Sequence, residues 1–332
     1  MTLITKKDKI FIAGSGGMVG SAIKRNLTLY NYENLLCPKR EQLDLTNSDK
    51  VSNWFKNNKP EIVIIAAAKV GGIFANDSYP TNFLLNNLKI QNNLIETSWK
   101  NGVKRLLFLG SSCIYPKNTS QPIKEDSLLN GYLEKTNEWY AIAKICGVKL
   151  CQALRKQYDF DAISLMPTNL YGKGDNYHKA NSHVLPGLLD RFHKHKEENK
   201  ESIECWGSGK PRREFMHVDD LAEACIFALE KWNPKDKDAP LDQEGVPLTW
   251  LNVGTSKDIS IKELADLIRD LTHFKGEIKW DISKPDGTYQ KLLDSSKLRK
   301  LGWESKITLK EGLRITYKEY KNDLKKNNLR IK

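Results

Sequence analysis

The 332-residue sequence predicts an α/β protein: a doubly wound parallel sheet (Rossmann) with a smaller interleaved C-terminal domain. Three observations predict it. Short apolar runs alternate with helix-like stretches in βαβα order from Lys9 onward. The first run stops at glycines spaced Gly14, Gly17, Gly20 and leads directly into a helical pattern. No internal repeat or low-complexity tract interrupts the alternation, so a parallel sheet with right-handed crossovers is the economical topology.

Lys9–Ala13 reads as a buried parallel strand and Ser21–Leu27 as the helix after it. Between them stands Gly14-Ser15-Gly16-Gly17-Met18-Val19-Gly20. Gly14 suits a tight turn, Gly17 lets a pyrophosphate approach the backbone at the helix N-terminus, and Gly20 allows close helix–strand packing. The loop is therefore a candidate dinucleotide site. Leu35–Cys37 is the second strand. NAD-binding folds usually end this strand on an acidic residue that holds the ribose diol. Here Pro38-Lys39-Arg40 follows, which favours a 2′-phosphate and so NADP, while Asp44 could reach the adenine. Glu61–Ile65 is the third strand, and Ala66–Ala68 after it leave room beside the backbone. Residues 81–100 read as an asparagine-rich helix, and Lys104–Gly110 as the fourth strand. Period-two alternation beyond its end puts Ser111 and Cys113 on one side.

A helix over 138–158 sets Tyr140 and Lys144 one turn apart on a shared face. A phenol beside an ammonium is expected to have its pKa lowered toward neutrality, so it can exchange a proton with a carbonyl while hydride moves at the attached carbon. Ser111 could hydrogen-bond the same oxygen. Tyr-x-x-x-Lys alone also describes an ordinary surface pair, so its weight comes from the neighbouring motifs. Asp161–Met166 is the fifth strand, closed by Pro167-Thr168-Asn169-Leu170-Tyr171-Gly172. Gly14, Ala68, Ser111 and Pro167 all fall at carboxyl ends of strands, where ligands of such sheets sit.

Beyond Gly172 the pattern changes. The expected organisation is a dinucleotide-binding domain over 8–172, with 210–232 returning to it. A substrate-binding domain takes 173–209 and 233–322, and 323–332 forms a polar basic tail. Within the second part, 233–247 reads as a linker loop, 248–254 as a strand, and 260–271 and 307–321 as helices.

Hydrophobic content of 39% and charged content of 28% fit a globular protein. No apolar run reaches the ~18 residues a membrane span needs, and no signal-peptide core is present, so the cytoplasm is the expected location with no membrane partner. Six cysteines at 37, 113, 146, 151, 205 and 225 lack paired spacing, which argues against a disulfide framework and a zinc cage; no metal is expected. The net charge of +12 is spread along the chain without any nucleic-acid-binding signature, so no nucleic acid is expected. A positive surface equally suits an anionic small substrate.

With these elements placed, the chain resembles the extended short-chain dehydrogenase/reductase family, and within it the bifunctional epimerase-reductases of GDP-linked keto sugars. The resemblance rests on Ala66–Gly72, Leu109-Gly-Ser-Ser-Cys-Ile-Tyr-Pro-Lys117, Tyr140-Ala-Ile-Ala-Lys144, Met166–Gly172, Asn181-Ser-His-Val184, Trp206–Gly209, Arg213–Asp220 and Ser283–Thr288. It spans residue 10 to about 315, and the Ser-Ser-Cys-Ile-Tyr-Pro and Asn-Ser-His segments are more specific than the glycine loop.

The resemblance implies NADPH-dependent 3,5-epimerisation and 4-reduction of GDP-4-keto-6-deoxy-D-mannose to GDP-L-fucose. A 4-keto group acidifies C3–H and C5–H; Cys113 and His183 match the family's acid/base pair, with Cys113 the base and His183 the acid. His178 is a neighbouring alternative to His183. Tyr140 would donate the proton to the C4 oxygen, supported by Ser111 and Lys144. For the cofactor the resemblance implies the loop from Gly14 to Gly20, then Leu109, Gly110, Ser111, Ser112, Lys144 and His183, with Pro167, Thr168, Asn169 and Leu170 lining the nicotinamide. Arg191, Trp206, Arg213, Asp286 and Lys291 match positions that hold the GDP-sugar, although Arg191 could equally be a solvated helix residue. Ser15-Gly16 stands where relatives often carry a basic residue, so selectivity for NADP rests on Lys39 and Arg40. Family members are generally homodimers packed through the helices at 81–100 and 138–158.

Two other readings compete. A related GDP-4-keto-deoxysugar, such as a dideoxyhexose or heptose, would share every motif. A non-catalytic dinucleotide-binding module would keep the glycine loop but need none of Ser111, Cys113, Tyr140, Lys144 and His183. UDP- and dTDP-sugar epimerases do not usually carry the Cys113–His183 pair.

Overall fold

A computed structural model describes residues 2–331 apart from Pro285, so Met1, Pro285 of the Ser283–Thr288 motif and Lys332 of the tail lie outside the described residues. The central sheet contains β1 (Ile10–Ala13), β2 (Leu35–Leu36), β3 (Ile62–Ile65), β4 (Arg105–Leu109), β5 (Ala162–Pro167) and β9 (Trp250–Val253). Their order is β2-β1-β3-β4-β5-β9, with every pairing parallel. β1, β3, β4, β5 and β9 are buried at every position, as strands covered by helices on both faces must be. The covering helices are α1 (Met18–Leu29), α2 (Ser48–Asn58), α4 (Pro80–Lys100), α5 (Glu138–Tyr158) and α7 (Val218–Lys231); the short α3 (Ile73–Ser78) precedes α4. α7 returns to pack on α1, where Arg25 and Asp219 form an ion pair at 2.6 Å.

The second part contains β6 (Asn169–Tyr171), α6 (Val184–Glu197), β7 (Ser202–Trp206), β8 (Arg212–His217), β10 (Asp258–Ser260), α8 (Ile261–Thr272), β11 (Glu277–Asp281), β12 (Gln290–Lys291), α9 (Ser296–Lys300) and α10 (Leu309–Lys325). β8 is its hub, pairing with β6, β10 and β12, while β7 pairs with β11. Buried Glu214 in β8 accepts the N–H of Ser256 at 2.7 Å and of Leu293 at 3.0 Å, and so ties three segments together. Leu185, Leu189, Phe192, Ile268, Phe274 and Leu313 form a second apolar core.

The expected division needs one correction. The 248–254 strand is expected in the substrate-binding domain, but Trp250–Val253 pairs with Ser164–Pro167 and completes the large sheet. Leu293, Leu298 and Trp303 also join the first core. Parallel pairing asks only for an apolar strand of matching length, and the chain supplies it after a long excursion.

Candidate active site

The switch point of the sheet lies between β1 and β3, and the glycine loop occupies it. Gly14 has φ +87°, and a Cβ there would lie 2.7 Å from the Ala67 nitrogen. At Gly20 a Cβ would lie 2.1 Å from the Gly14 oxygen, so any side chain would push α1 off the strand end. α1 begins after Gly17 with no side-chain cap and no acidic residue in its first turn, which leaves its N–H groups for an anion. A Cβ at Gly16 would meet nothing within 4 Å, so the loop borders open space on that side. A dinucleotide pyrophosphate fits these features. Ser15 hydrogen-bonds Cys37, whose thiol burial pushes up. Lys39 and Arg40 are exposed just past β2, and among the described residues neither belongs to an ion pair. Asp44 accepts from the Thr46 N–H and hydroxyl at 3.0 and 2.7 Å, bonds that hold its carboxyl below the usual range.

The catalytic candidates meet at the end of β4. Ser111 is extended (φ −164°), hydrogen-bonds Tyr140, and accepts the Cys113 N–H at 3.2 Å. Ser112–Ile114 then form a 3-10 turn. The expected strand-like alternation therefore gives way to a turn closed on the Ser111 hydroxyl, and that turn brings Cys113 toward Tyr140. The half-buried Cys113 sulfur accepts from Asn137 Nδ2 and Lys291 Nζ, each at 3.7 Å. Arg213, held by the carbonyls of Thr288 at 2.6 Å and Arg212 at 2.8 Å, adds its charge nearby, although burial lowers its pKa.

The electrostatics of the Tyr140–Lys144 pair differ from expectation. Lys144 is 4% exposed, and burial drives its ammonium down to about 7. Its Nζ donates to the Leu109 carbonyl at 2.8 Å and lies 5.9 Å from the centre of the Tyr140 ring. Tyr140 is raised rather than lowered, by burial first and by Cys113 second, with Ser111 opposing. The reason is that an ammonium losing its own charge to burial does little for a phenolate.

His183 caps α6 at an exposed position, and the protein around it lowers its pKa by desolvation. His178 is otherwise engaged: its Nδ1 accepts the N–H groups of Ala180 and Asn181, both at 3.1 Å. Gly72 N–H donates to the Asn181 carbonyl at 2.9 Å and pins this loop. Among the nicotinamide candidates, Pro167 ends β5 and Leu170 lies in β6. Thr168 and Asn169 both donate to the Glu214 carbonyl, at 3.2 and 2.8 Å. Gly110 sits tight under Met166, whose sulfur would lie 2.3 Å from a Cβ at that position, and Ser112 is buried.

Lys291 and Arg213 thus gather at Cys113, whereas the other substrate candidates lie farther along β7 and its neighbours. Arg191 donates to the Glu204 carbonyl at 2.8 Å. Trp206 is 65% exposed, with Lys284 Nζ 5.9 Å from its ring. Asp286 accepts the Ser208 N–H and hydroxyl at 2.9 and 2.6 Å, which keeps its carboxyl low. Sequence reasoning missed Asn137, whose Oδ1 is buried without a hydrogen-bond partner beside Cys113. It stands one helical turn before Tyr140, so the spacing that singled out Lys144 would also have reached it. It also missed Asn87, which bonds both backbone groups of Lys69 at 2.8 and 3.0 Å and fixes the loop after β3. Among the described residues no group of three or more His, Cys, Asp or Glu could hold a metal ion.

Residues 10–239 match the NAD dependent epimerase/dehydratase family. The chain is 52% identical over 318 residues to the putative GDP-L-fucose synthase 2 of Arabidopsis thaliana, covering 96% of this chain and 93% of the relative. It is 48% identical to the GDP-L-fucose synthase of Escherichia coli (strain K12), covering 94% and 96%. Among solved structures it is similar to a GDP-mannoheptose C4 reductase from Campylobacter jejuni with NADP bound, at TM-score 0.86 and 38% identity, covering 96% and 99%.

Proposed function

The chain belongs to the NAD dependent epimerase/dehydratase family, and on that premise we propose that it converts GDP-4-keto-6-deoxy-D-mannose to GDP-L-fucose with NADPH. The observation that carries this reading is the meeting of Cys113, Tyr140 and Lys291 around Ser111, at the carboxyl end of β4. It puts a proton-accepting sulfur and a proton-donating phenol at one point, as epimerisation and reduction of a single keto sugar require.

The bound NADPH supplies the hydride that reduces C4. The chain's own residues do the rest. The glycine loop and the first turn of α1 take the pyrophosphate, and Lys39 and Arg40 take the 2′-phosphate. Cys113, as thiolate, removes the proton at C3 or C5, and His183 returns one from the opposite face. Lys291 and Arg213 supply positive charge where the enolate oxygen develops. Tyr140 gives its hydroxyl proton to the C4 oxygen, and its raised pKa keeps that proton in place until the oxygen is basic enough to take it. Ser111 orients both reacting groups. Arg191, Trp206 and Asp286 hold the GDP end.

The same reading makes the protein a cytoplasmic homodimer joined through α4 and α5. There Trp99 and Tyr158 stack at 4.4 Å beside a shallow hollow lined by Asn92, Glu96, Leu150 and Leu154. A sedimentation-equilibrium mass equal to one chain would remove that part. The similarity to the mannoheptose reductase favours a second reading, a related GDP-keto sugar.

The test is incubation with GDP-4-keto-6-deoxy-D-mannose and NADPH in D2O. GDP-L-fucose is expected, with deuterium at C3 and C5. Tyr140→Phe should slow NADPH oxidation by about 10²–10⁴-fold while deuterium still enters. Cys113→Ser should block deuterium entry. A product reduced at C4 without deuterium would refute the epimerase role, and no oxidation with this sugar would transfer the case to the second reading.

A further inference from the structure

The loop after β6 runs beside the proposed pyrophosphate site. A Cβ on Gly174 would lie 3.8 Å from Met18 Cα and 4.0 Å from Ser21 Oγ, both in the first turn of α1. The next residue, Asp175, is 4% exposed; one carboxylate oxygen accepts the Asn176 N–H at 2.7 Å, and the other is buried without a hydrogen-bond partner. A buried carboxylate next to an anion site would repel the anion unless its charge is offset.

The chain end provides the offset. After α10, Leu329 packs on the second apolar core, the Arg330 carbonyl accepts the Tyr177 N–H at 2.9 Å, and Arg330 Nη1 donates to the Gly174 carbonyl at 3.1 Å. The guanidinium charge acts on Asp175. Lys173 and Glu319 add an ion pair at 3.3 Å, and Tyr177 packs against Tyr320 with ring centres 4.9 Å apart.

We propose that Arg330 is a positioning residue for cofactor binding: it straps the 172–177 loop beside the first turn of α1 and offsets the Asp175 carboxylate, so that this helix end accepts a dinucleotide pyrophosphate. The proposal rests on the NADPH reading above and extends it to a segment expected to be only a polar basic tail.

The experiment measures NADPH binding to the full chain without sugar, by fluorescence titration, for the parent, Arg330→Gln, Arg330→Lys, Asp175→Asn and the Asp175→Asn/Arg330→Gln double variant. Arg330→Gln should weaken binding about five- to twentyfold, a loss of the size expected for one unbalanced charge near an anion. Arg330→Lys should recover part of that loss, and the double variant most of it, because without the carboxylate the guanidinium has nothing to offset. In turnover with the keto sugar, KM for NADPH should rise while kcat stays within about twofold. Equal NADPH affinity in parent and Arg330→Gln would overturn the proposal. So would a double variant as weak as Arg330→Gln, which would leave the strap with a packing role alone. A parent chain that does not bind NADPH would instead overturn the cofactor reading, so the two failures are distinct.

Discussion

The cofactor side and the substrate side of the cleft are built from different materials. The first is backbone: a left-handed Gly14, a glycine contact at Gly20 and the uncapped start of α1 shape the site with hardly a side chain involved. The second is side chains that already hold protein groups. Arg213 bonds Thr288, Arg191 bonds Glu204, Asp286 bonds Ser208, and Lys291 meets Cys113. A backbone site is rigid and intolerant of substitution. A side-chain site is held in place by bonds that a ligand can exchange for its own, so single changes there should be milder and more selective.

Three measurements can break or sharpen that contrast. The largest effect belongs to Gly20→Ala. Its methyl group would meet the Gly14 carbonyl oxygen and neither backbone can yield, so we expect a loss of about 3 kcal/mol or more in denaturant unfolding, with no measurable NADPH binding. A normally folded, NADPH-binding Gly20→Ala protein would show that the loop is softer than argued.

Lys144 comes next, between the two sides. Its folded pKa of about 7 lies below the ordinary 10.5, so between those values the unfolded chain holds a proton that the folded chain lacks. Stability should therefore rise with pH across that window, and the burial cost is fully felt below about 7. At about 1.4 kcal/mol per pH unit the rise amounts to several kcal/mol. Lys144→Met should flatten it when unfolding is measured without nucleotide; parallel curves for the two proteins would mean that the ammonium is solvated.

Asp286→Asn should be mildest. It keeps an acceptor for the exposed Ser208 bonds, so it should cost less than about 1 kcal/mol and raise KM for the GDP-sugar a few-fold with kcat unchanged. A fall in kcat would place Asp286 closer to the chemistry than the geometry does.

The same contrast explains what could be read beforehand. β1, β3, β4 and β5 are apolar runs closed by glycine, alanine or proline, and buried strands announce themselves that way. The glycine loop was legible because its spacing has a steric cause. Arg191, Trp206, Arg213, Asp286 and Lys291 have no such pattern; they converge from strands and loops far apart in sequence, and only the family resemblance pointed to them. The Tyr140–Lys144 spacing was visible, but the burial that reverses the expected shift was not, since it depends on neighbours brought by folding. The Ser112–Ile114 turn was hidden for a related reason: its hydrogen bond to Ser111 resembles nothing in the preceding strand.

The late position of β9 bears on how the protein is made. On the ribosome, the outer edge of β5 has no neighbour until Val253 has emerged, well after the glycine loop and every proposed catalytic residue have been synthesised. A nascent chain paused before that point would present a bare parallel edge, the kind of surface that recruits other strands. The nucleotide-binding half is thus translated early but closed late, and a fragment ending at residue 232 would be expected to aggregate rather than bind cofactor.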